Sequence, residues 1–340
     1  MMSRASRALT VSLILLVAAT GRAQQVDLLA MGDWGAAGPR QREVAEGMGR
    51  YIQGGIRKPD AMLLAGDNFY VTLDGGIHDP KWKTMFEDMY DPKIFDFPFY
   101  VALGNHDYQV DRYVVEFAYA QANPQSRWKM PARWYRVDIP REKPVVTVLM
   151  LDSNFSVMGE YAWNNQMKWL KAELAKPRTA KWLVSVCHHP FYSNGDHGDI
   201  GPLQRMWGPL MEQAKLDFFI AGHDHDLQHL QVDGMQTTFL LVGGGGAGIR
   251  PMRNDQRGPF SKSSYGFGHL TFTEEKATVR LVGADAKPLH AFTRSPDGRI
   301  ELTQPGISDV ATTRKVRDIT RPDVTRPNAT SQPASQPVQR

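Results

Sequence analysis

Five times along this chain a short apolar run stops at a turn carrying a carboxylate, amide, phenol or imidazole. Val26–Met31 runs into Gly32-Asp33-Trp34-Gly35, and Asp60–Ala65 into Gly66-Asp67-Asn68-Phe69-Tyr70. Pro98–Leu103 leads to Gly104-Asn105-His106-Asp107, Trp182–Cys187 to His188-His189-Pro190, and Asp217–Ala221 to Gly222-His223-Asp224-His225. Four of the five turns open on glycine, which allows a tight turn and close backbone approach. Ligands of open α/β sheets bind in the crevice beyond the carboxyl ends of the strands, so the pattern predicts five turns converging on one site. A single Gly-Asp turn or a lone pair of histidines would be ordinary; their conjunction constrains the chain.

Amphipathic segments fill the intervals. Arg40–Ile52, Trp82–Met89, Asp111–Ala120, Trp163–Ala175 and Leu203–Gln213 read as helices, and Trp134–Ile139 and Val145–Leu151 as further strands. The C-terminal third is built differently, since Phe239–Val242, His269–Thr273 and Thr278–Val282 are strands with turns between them and no long helix. The expectation is an α/β fold with at least one mixed sheet, in one domain over residues 24–305. Trp82, Trp163, Trp169 and Trp182 are expected in the core, and Glu87 and Asp88 on a helix surface. Gly243–Gly246 follows a strand but lacks the Lys-Ser/Thr pair of a phosphate-binding loop, so it reads as backbone passing close to the site.

The ends differ from the middle. Arg4 and Arg7, an apolar run from Ala8 to Ala19 and then Gly21-Arg22-Ala23 form the pattern of a secretory leader cleaved near Ala23. The run is about a dozen residues against roughly 20 for a membrane span, so a stable membrane anchor is not expected. Residues 306–340 fill with Thr, Pro, Ser, Gln and Arg and read as a disordered tail. The formal charge of the 340 residues is +4, but residues 1–23 carry three arginines and no acid, and residues 306–340 six basic residues against three acidic ones. That leaves 31 basic and 33 acidic side chains in residues 24–305, a net of −2, which removes the main support for a nucleic-acid or membrane partner. The expected location is secreted or periplasmic. Cys187 is the only cysteine, which excludes an intramolecular disulfide and any Cys-rich zinc or iron–sulfur site. Histidine and oxygen ligands must hold any metal.

The side chains of the five turns sort by chemistry. Asp33, Tyr70 and His225 with Asp67 would make an oxygen-rich anionic pocket suited to a hard trivalent ion. Asn105, His188 and His223 with the same Asp67 would make a more neutral pocket suited to a divalent ion. One carboxylate bridging two metals suits two-metal phosphoryl hydrolysis.

On these motifs the chain resembles the purple acid phosphatases, most closely the small, tartrate-resistant mammalian-type branch of the calcineurin-like metallophosphoesterases, over roughly residues 26–295. The resemblance implies two packed mixed β-sheets flanked by helices, a four-layer α/β/β/α sandwich. It implies Fe(III) on Asp33, Tyr70 and His225, a divalent iron, zinc or manganese on Asn105, His188 and His223, and Asp67 as the bridge. Gly35 stands where other branches carry a histidine ligand, with Tyr70 as the compensating ligand. His106 and His197 would contact phosphate oxygens, His197 also protonating the leaving alkoxide. The implied activity is acid phosphatase, the hydrolysis of small phosphate monoesters or a phosphorylated peptide by metal-bound hydroxide attacking phosphorus in line. Phosphodiester or nucleotide pyrophosphate hydrolysis on the same centre is the alternative, followed by a redox-active di-iron protein and a non-catalytic phosphate binder. Asp226 and His189 depart from the branch, where Asn and Tyr are usual. The short segment Asn154–Tyr161 replaces a longer repressive loop, which implies activity without proteolytic processing.

Overall fold

Strands covered on both faces read as unbroken apolar runs, and alternate side chains then enter different cores. The computed structural model describes residues 24–253 and 257–309. In chain order the elements are β1 (Val26–Met31), α1 (Pro39–Gln53), β2 (Ala61–Ala65), β3 (Phe99–Ala102), α2 (Arg112–Ala122), β4 (Trp128–Lys129), β5 (Tyr135–Ile139), β6 (Val146–Met150) and α3 (Glu160–Leu174). Then follow β7 (Trp182–Val186), α4 (Gly201–Gln213), β8 (Phe218–Ala221), β9 (Leu227–Gln231), β10 (Thr238–Val242), β11 (Phe260–Lys262), β12 (Gly266–Phe272), β13 (Ala277–Gly283), β14 (Pro288–Arg294) and β15 (Ile300–Gln304). One sheet has the order β15-β14-β13-β12-β1-β2-β3-β4, the other β11-β9-β10-β8-β7-β6-β5. Both are mixed: β1 pairs parallel with β2 and antiparallel with β12, and β10 parallel with β8 and antiparallel with β9.

Period-2 alternation divides the side chains between layers. Val26, Leu28 and Ala30 of β1 and Trp182, Val184 and Val186 of β7 share the core between the sheets. Leu29 and Met31 face outward onto Val44, Ala45 and Met48 of α1. Leu183 and Phe219 pack on the other side with Leu170 of α3 and Leu203, Trp207 and Met211 of α4. Helix, sheet, sheet, helix is the resulting order of layers.

Several sequence expectations change. Trp82–Glu87 forms a short helix of wide π-type turns rather than a regular helix to Met89. Glu87 is not a free surface acid: it accepts hydrogen bonds from Arg127 at 2.8 Å, Ser126 at 2.8 Å and Tyr119 at 3.1 Å. Trp82 and Trp182 are buried, whereas Trp163 and Trp169 are only partly covered at the α3–α4 layer. Strands β4, β9, β11, β14 and β15 escaped the sequence reading. In β9 and β14 the reason is polar burial: His229, His290 and Arg294 are all enclosed, Arg294 against Asp217 at 2.8 Å.

The expected leader at residues 1–23 lies outside the described residues, as does the expected tail beyond Asp309. Residues 306–309, expected in the tail, instead lie against β11. Ser308 Oγ–H donates to Ser261 O at 2.8 Å, and Lys262 pairs with Asp309 at 2.9 Å. Among the described residues no helix is long and apolar enough to cross a membrane.

Candidate metal centre

The turns after β1, β2 and β3 of one sheet meet those after β7 and β8 of the other. Gly32 N–H donates across the sheets to Val242 O at 2.8 Å, and Gly245 N–H returns a bond to Gly32 O at 3.1 Å. Within each sheet, Asp33 N–H reaches Gly66 O at 3.0 Å and Gly222 N–H reaches His188 O at 3.0 Å. The contact requires absent side chains. A Cβ on Gly222 would lie 2.4 Å from Asp33 Oδ2, and one on Gly243 2.1 Å from Asp224 O, so the glycine run after β10 does pass against the site. Asp33, Asp67 and His223 adopt φ of 57°, 53° and 72°. Non-glycine residues seldom occupy this left-handed region, and local strain of this kind gathers at functional sites.

Two clusters of lone-pair atoms result. In the first, Tyr70 OH lies 3.1 Å from Asp33 Oδ1, 3.0 Å from Asp67 Oδ2 and 3.2 Å from His225 Nε2. In the second, Asn105 Oδ1 lies 3.0 Å from His188 Nε2 and 3.1 Å from His223 Nδ1, with the two ring nitrogens 3.2 Å apart. Asp67 Oδ2 belongs to both, since it is also 3.4 Å from His188 Nε2. Ligands bound at about 2.0–2.2 Å to one ion lie roughly 3.0–3.5 Å from each other, so both clusters have the spacing of a coordination shell.

The chemistry of the donors fits cations. His188 Nδ1–H donates to Ala65 O at 2.9 Å and His225 Nδ1–H to Gly248 O at 2.7 Å. Each ring therefore turns an unprotonated Nε2 into the site, the usual arrangement behind a metal-ligating histidine. The second oxygens are also fixed, Asp67 Oδ1 by His106 N–H and Asp33 Oδ2 by His223 N–H, both at 2.8 Å. Asp33, Asp67 and His188 are buried and lie within mutual ligating range. Among the described residues no Lys or Arg forms an ion pair with either carboxylate. Buried, unpaired carboxylates demand a positive charge. Burial and the two carboxylates push the Tyr70 phenol far above its ordinary pKa. Burial opposes a charge on His188, yet Asp67 and Asp33 outweigh it and raise that pKa.

The structure brings all nine sequence-predicted residues together. The His106 ring lies 4.3 Å from that of Tyr70 on one flank, and His197 stacks on His223 at 4.2 Å on the other. Burial lowers the pKa of both, against the pull of Asp67 on His106 and of Asp224 on His197. His189 forms part of the wall, its ring 4.5 Å from that of His223 and its Nδ1 2.9 Å from Ser153 Oγ. Asp226 is buried and accepts from Gln228 Nε2 at 2.9 Å, with no hydrogen bond to either histidine beside it. Cys187, the residue after β7, is buried.

Sequence reading missed three residues. Asp224 accepts from His197 N–H at 2.8 Å and from Ser193 Oγ–H at 2.5 Å, so it holds the His197 loop. Asn68 joins three ligand turns: it accepts from Trp34 Nε1–H at 3.1 Å and donates to Asp107 Oδ2 at 3.1 Å and Glu116 Oε2 at 3.0 Å. Arg250 lies against His197 Nε2. Asp224 and Asn68 had a local signal, each lying between two candidate ligands in its turn; Arg250 had none.

Comparison with known proteins agrees with this geometry. Residues 27–227 match the family model of the calcineurin-like phosphoesterases. Purple acid phosphatase 7 of Arabidopsis thaliana is 32% identical over 288 residues, 78% of this chain and 84% of the relative. The chain belongs to the calcineurin-like phosphoesterases, among the purple acid phosphatases. Human tartrate-resistant acid phosphatase type 5 is 29% identical over 311 residues, 82% of this chain and 93% of that protein. The solved purple acid phosphatase from yellow lupin seeds superposes with a TM-score of 0.60 at 18% identity, covering 87% of this chain and 58% of that one. GAP50 of Plasmodium superposes with a TM-score of 0.64 at 24% identity over 78% of this chain and 87% of its own; both likenesses are of fold. The two mixed sheets and flanking helices are those of this purple acid phosphatase family, and the two ligand clusters mark a binuclear centre.

Proposed function

We propose that this purple acid phosphatase hydrolyses small phosphate monoesters at mildly acidic pH with a binuclear metal centre. The observation that carries the reading is the pair of ligand clusters sharing Asp67 Oδ2. Asp33, Tyr70, His225 and Asp67 would hold Fe(III), since two carboxylates and a phenol favour the harder, more highly charged ion. Asn105, His188, His223 and Asp67 would hold divalent iron, zinc or manganese. Such a centre, when bound, neutralises phosphate charge and acidifies a water toward a pKa of about 7.

This chain's residues supply the rest. Main-chain bonds at the second oxygens of Asp33 and Asp67 fix both carboxylates before substrate arrives. His106 and His197 flank the clusters, where each could donate to a phosphate oxygen. His197, stacked on His223 yet open to solvent, suits proton delivery to the leaving oxygen. A donor is loaded only below its pKa, and that of His197 is lowered. The rate should therefore fall as pH rises past the mildly acidic range. The short Asn154–Tyr161 segment supports activity without proteolytic processing. The basic and apolar start of the chain supports export, to the periplasm or the medium.

Paired assays on 4-nitrophenyl phosphate and bis(4-nitrophenyl) phosphate test the reading. Faster turnover of the monoester is expected; a preference for the diester would replace it with a phosphodiesterase.

A further inference from the structure

Among the described residues two arginines near the metal centre, Arg250 and Arg253, have no carboxylate or carbonyl partner for the guanidinium; Arg253 places its guanidinium beside Gly198, and Arg250 is the one that meets a site histidine. Arg257 is clamped by Asp199 with two contacts of 2.6 Å, and Arg133 is paired with Asp152 at 3.1 Å. Arg112 donates to Val71 O at 2.7 Å and His106 O at 2.5 Å. The Arg250 guanidinium lies against His197 Nε2. The loop that carries it is anchored on both sides. Gly248 O accepts from the site histidine His225 at 2.7 Å, Ser263 Oγ–H donates to Arg250 O at 2.6 Å, and Arg253 N–H donates to Asn194 O at 2.8 Å beside the His197 loop. These bonds fix the backbone that carries Arg250 and set the residue at the mouth, its guanidinium one imidazole ring away from His223.

Its present partner is a poor match. A guanidinium offers five donors and no acceptor, and an imidazole nitrogen takes only one of them. Carboxylates and phosphates accept two at once, with charge assistance. We propose that Arg250 forms a second anion subsite at the mouth of the centre. The preferred substrates are then small phosphate monoesters whose leaving group carries a further carboxylate or phosphate near the ester oxygen. The inference rests on the phosphatase reading above. Substrates of this class would draw the guanidinium from His197 and leave that ring free to face the leaving oxygen.

The test compares kcat/KM of the metal-loaded enzyme on phenyl phosphate and 3-carboxyphenyl phosphate, which differ in one carboxylate and little in leaving-group acidity. Wild type should prefer the carboxylated ester. Arg250→Gln should lower that preference about tenfold or more, the effect of losing one charge-assisted pair. Arg250→Lys, which keeps the charge without the fork, should retain part of it and serves if the glutamine variant does not fold. Arg253→Gln, on the same loop, should leave the preference as in wild type. Equal efficiency on the two esters in wild type, an unchanged ratio in Arg250→Gln, or an equal fall in Arg253→Gln would overturn the subsite alone. Failure of wild type to hydrolyse either ester would overturn the phosphatase reading and the subsite with it.

Discussion

Tyr70 carries the most diagnostic chemistry in the molecule. Its hydroxyl sits between two carboxylates that, together with burial, drive its pKa far upward. Only a strongly charged cation at that point would make phenolate the stable form. With Fe(III) in that cluster, as proposed, the holoenzyme has a visible phenolate-to-iron absorption band, and Tyr70→Phe should abolish it while the far-ultraviolet circular dichroism stays that of wild type. A band that survives would remove Tyr70 from the metal. At this scale the convergence of the candidate ligands was legible because each residue type bears its own chemistry at a strand end. Their supports were not, because they come from far along the chain. Asn68 meets its partners Trp34, Asp107 and Glu116 across 34, 39 and 48 residues, and no local pattern announces such a network. Arg250 is likewise 53 residues from His197.

At the scale of elements, the five strand-to-turn junctions determine where the ligands stand. Gly222 lies where β8 gives way to its turn, and a methyl group there would meet Asp33 Oδ2 at 2.4 Å. Gly222→Ala should fold, because the strand before it is unaffected, yet lose metal from the Tyr70–His225 cluster first. Metal analysis of the purified variant checks this, and a full complement with an unaltered visible spectrum would show that the turn tolerates displacement. Alternating or continuous apolar runs made β1, β2, β3, β7, β8 and β10 readable within a residue or two. The same rule failed for β9 and β14, where buried histidines replace apolar side chains. Glu87 misled in the opposite direction: its sequence context is that of an exposed helix, and only the fold brings Arg127 to it.

For the whole molecule, one buried chain of hydrogen bonds predicts how stability varies with pH. Gln231 Nε2–H reaches His229 Nε2 at 3.2 Å, His229 Nδ1–H reaches His290 Nε2 at 2.9 Å, and His290 Nδ1–H reaches Pro305 O at 2.6 Å. Every ring nitrogen is used with both imidazoles neutral. Burial pushes His229 well down and His290 down from 6.5 to about 4. The unfolded chain thus binds more protons than the native one below pH 6.5. The stability contributed by keeping these groups neutral is fully present above that pH and is lost as pH falls toward about 4. His290→Gln can still donate to Pro305 and accept from His229 without titrating. Urea unfolding between pH 6.5 and 4 should accordingly show a smaller loss of stability in this variant than in wild type; equal losses would exclude the pair as the cause.

The two-layered sheet core brings the ends of two sheets within bonding distance, and the function depends on what is held there. Metal content and phosphomonoesterase activity, measured on one purified sample before and after chelation, test this most directly. The prediction is two ions per chain, activity lost with their removal and regained when they are returned. Activity that persists after all metal is gone would contradict it.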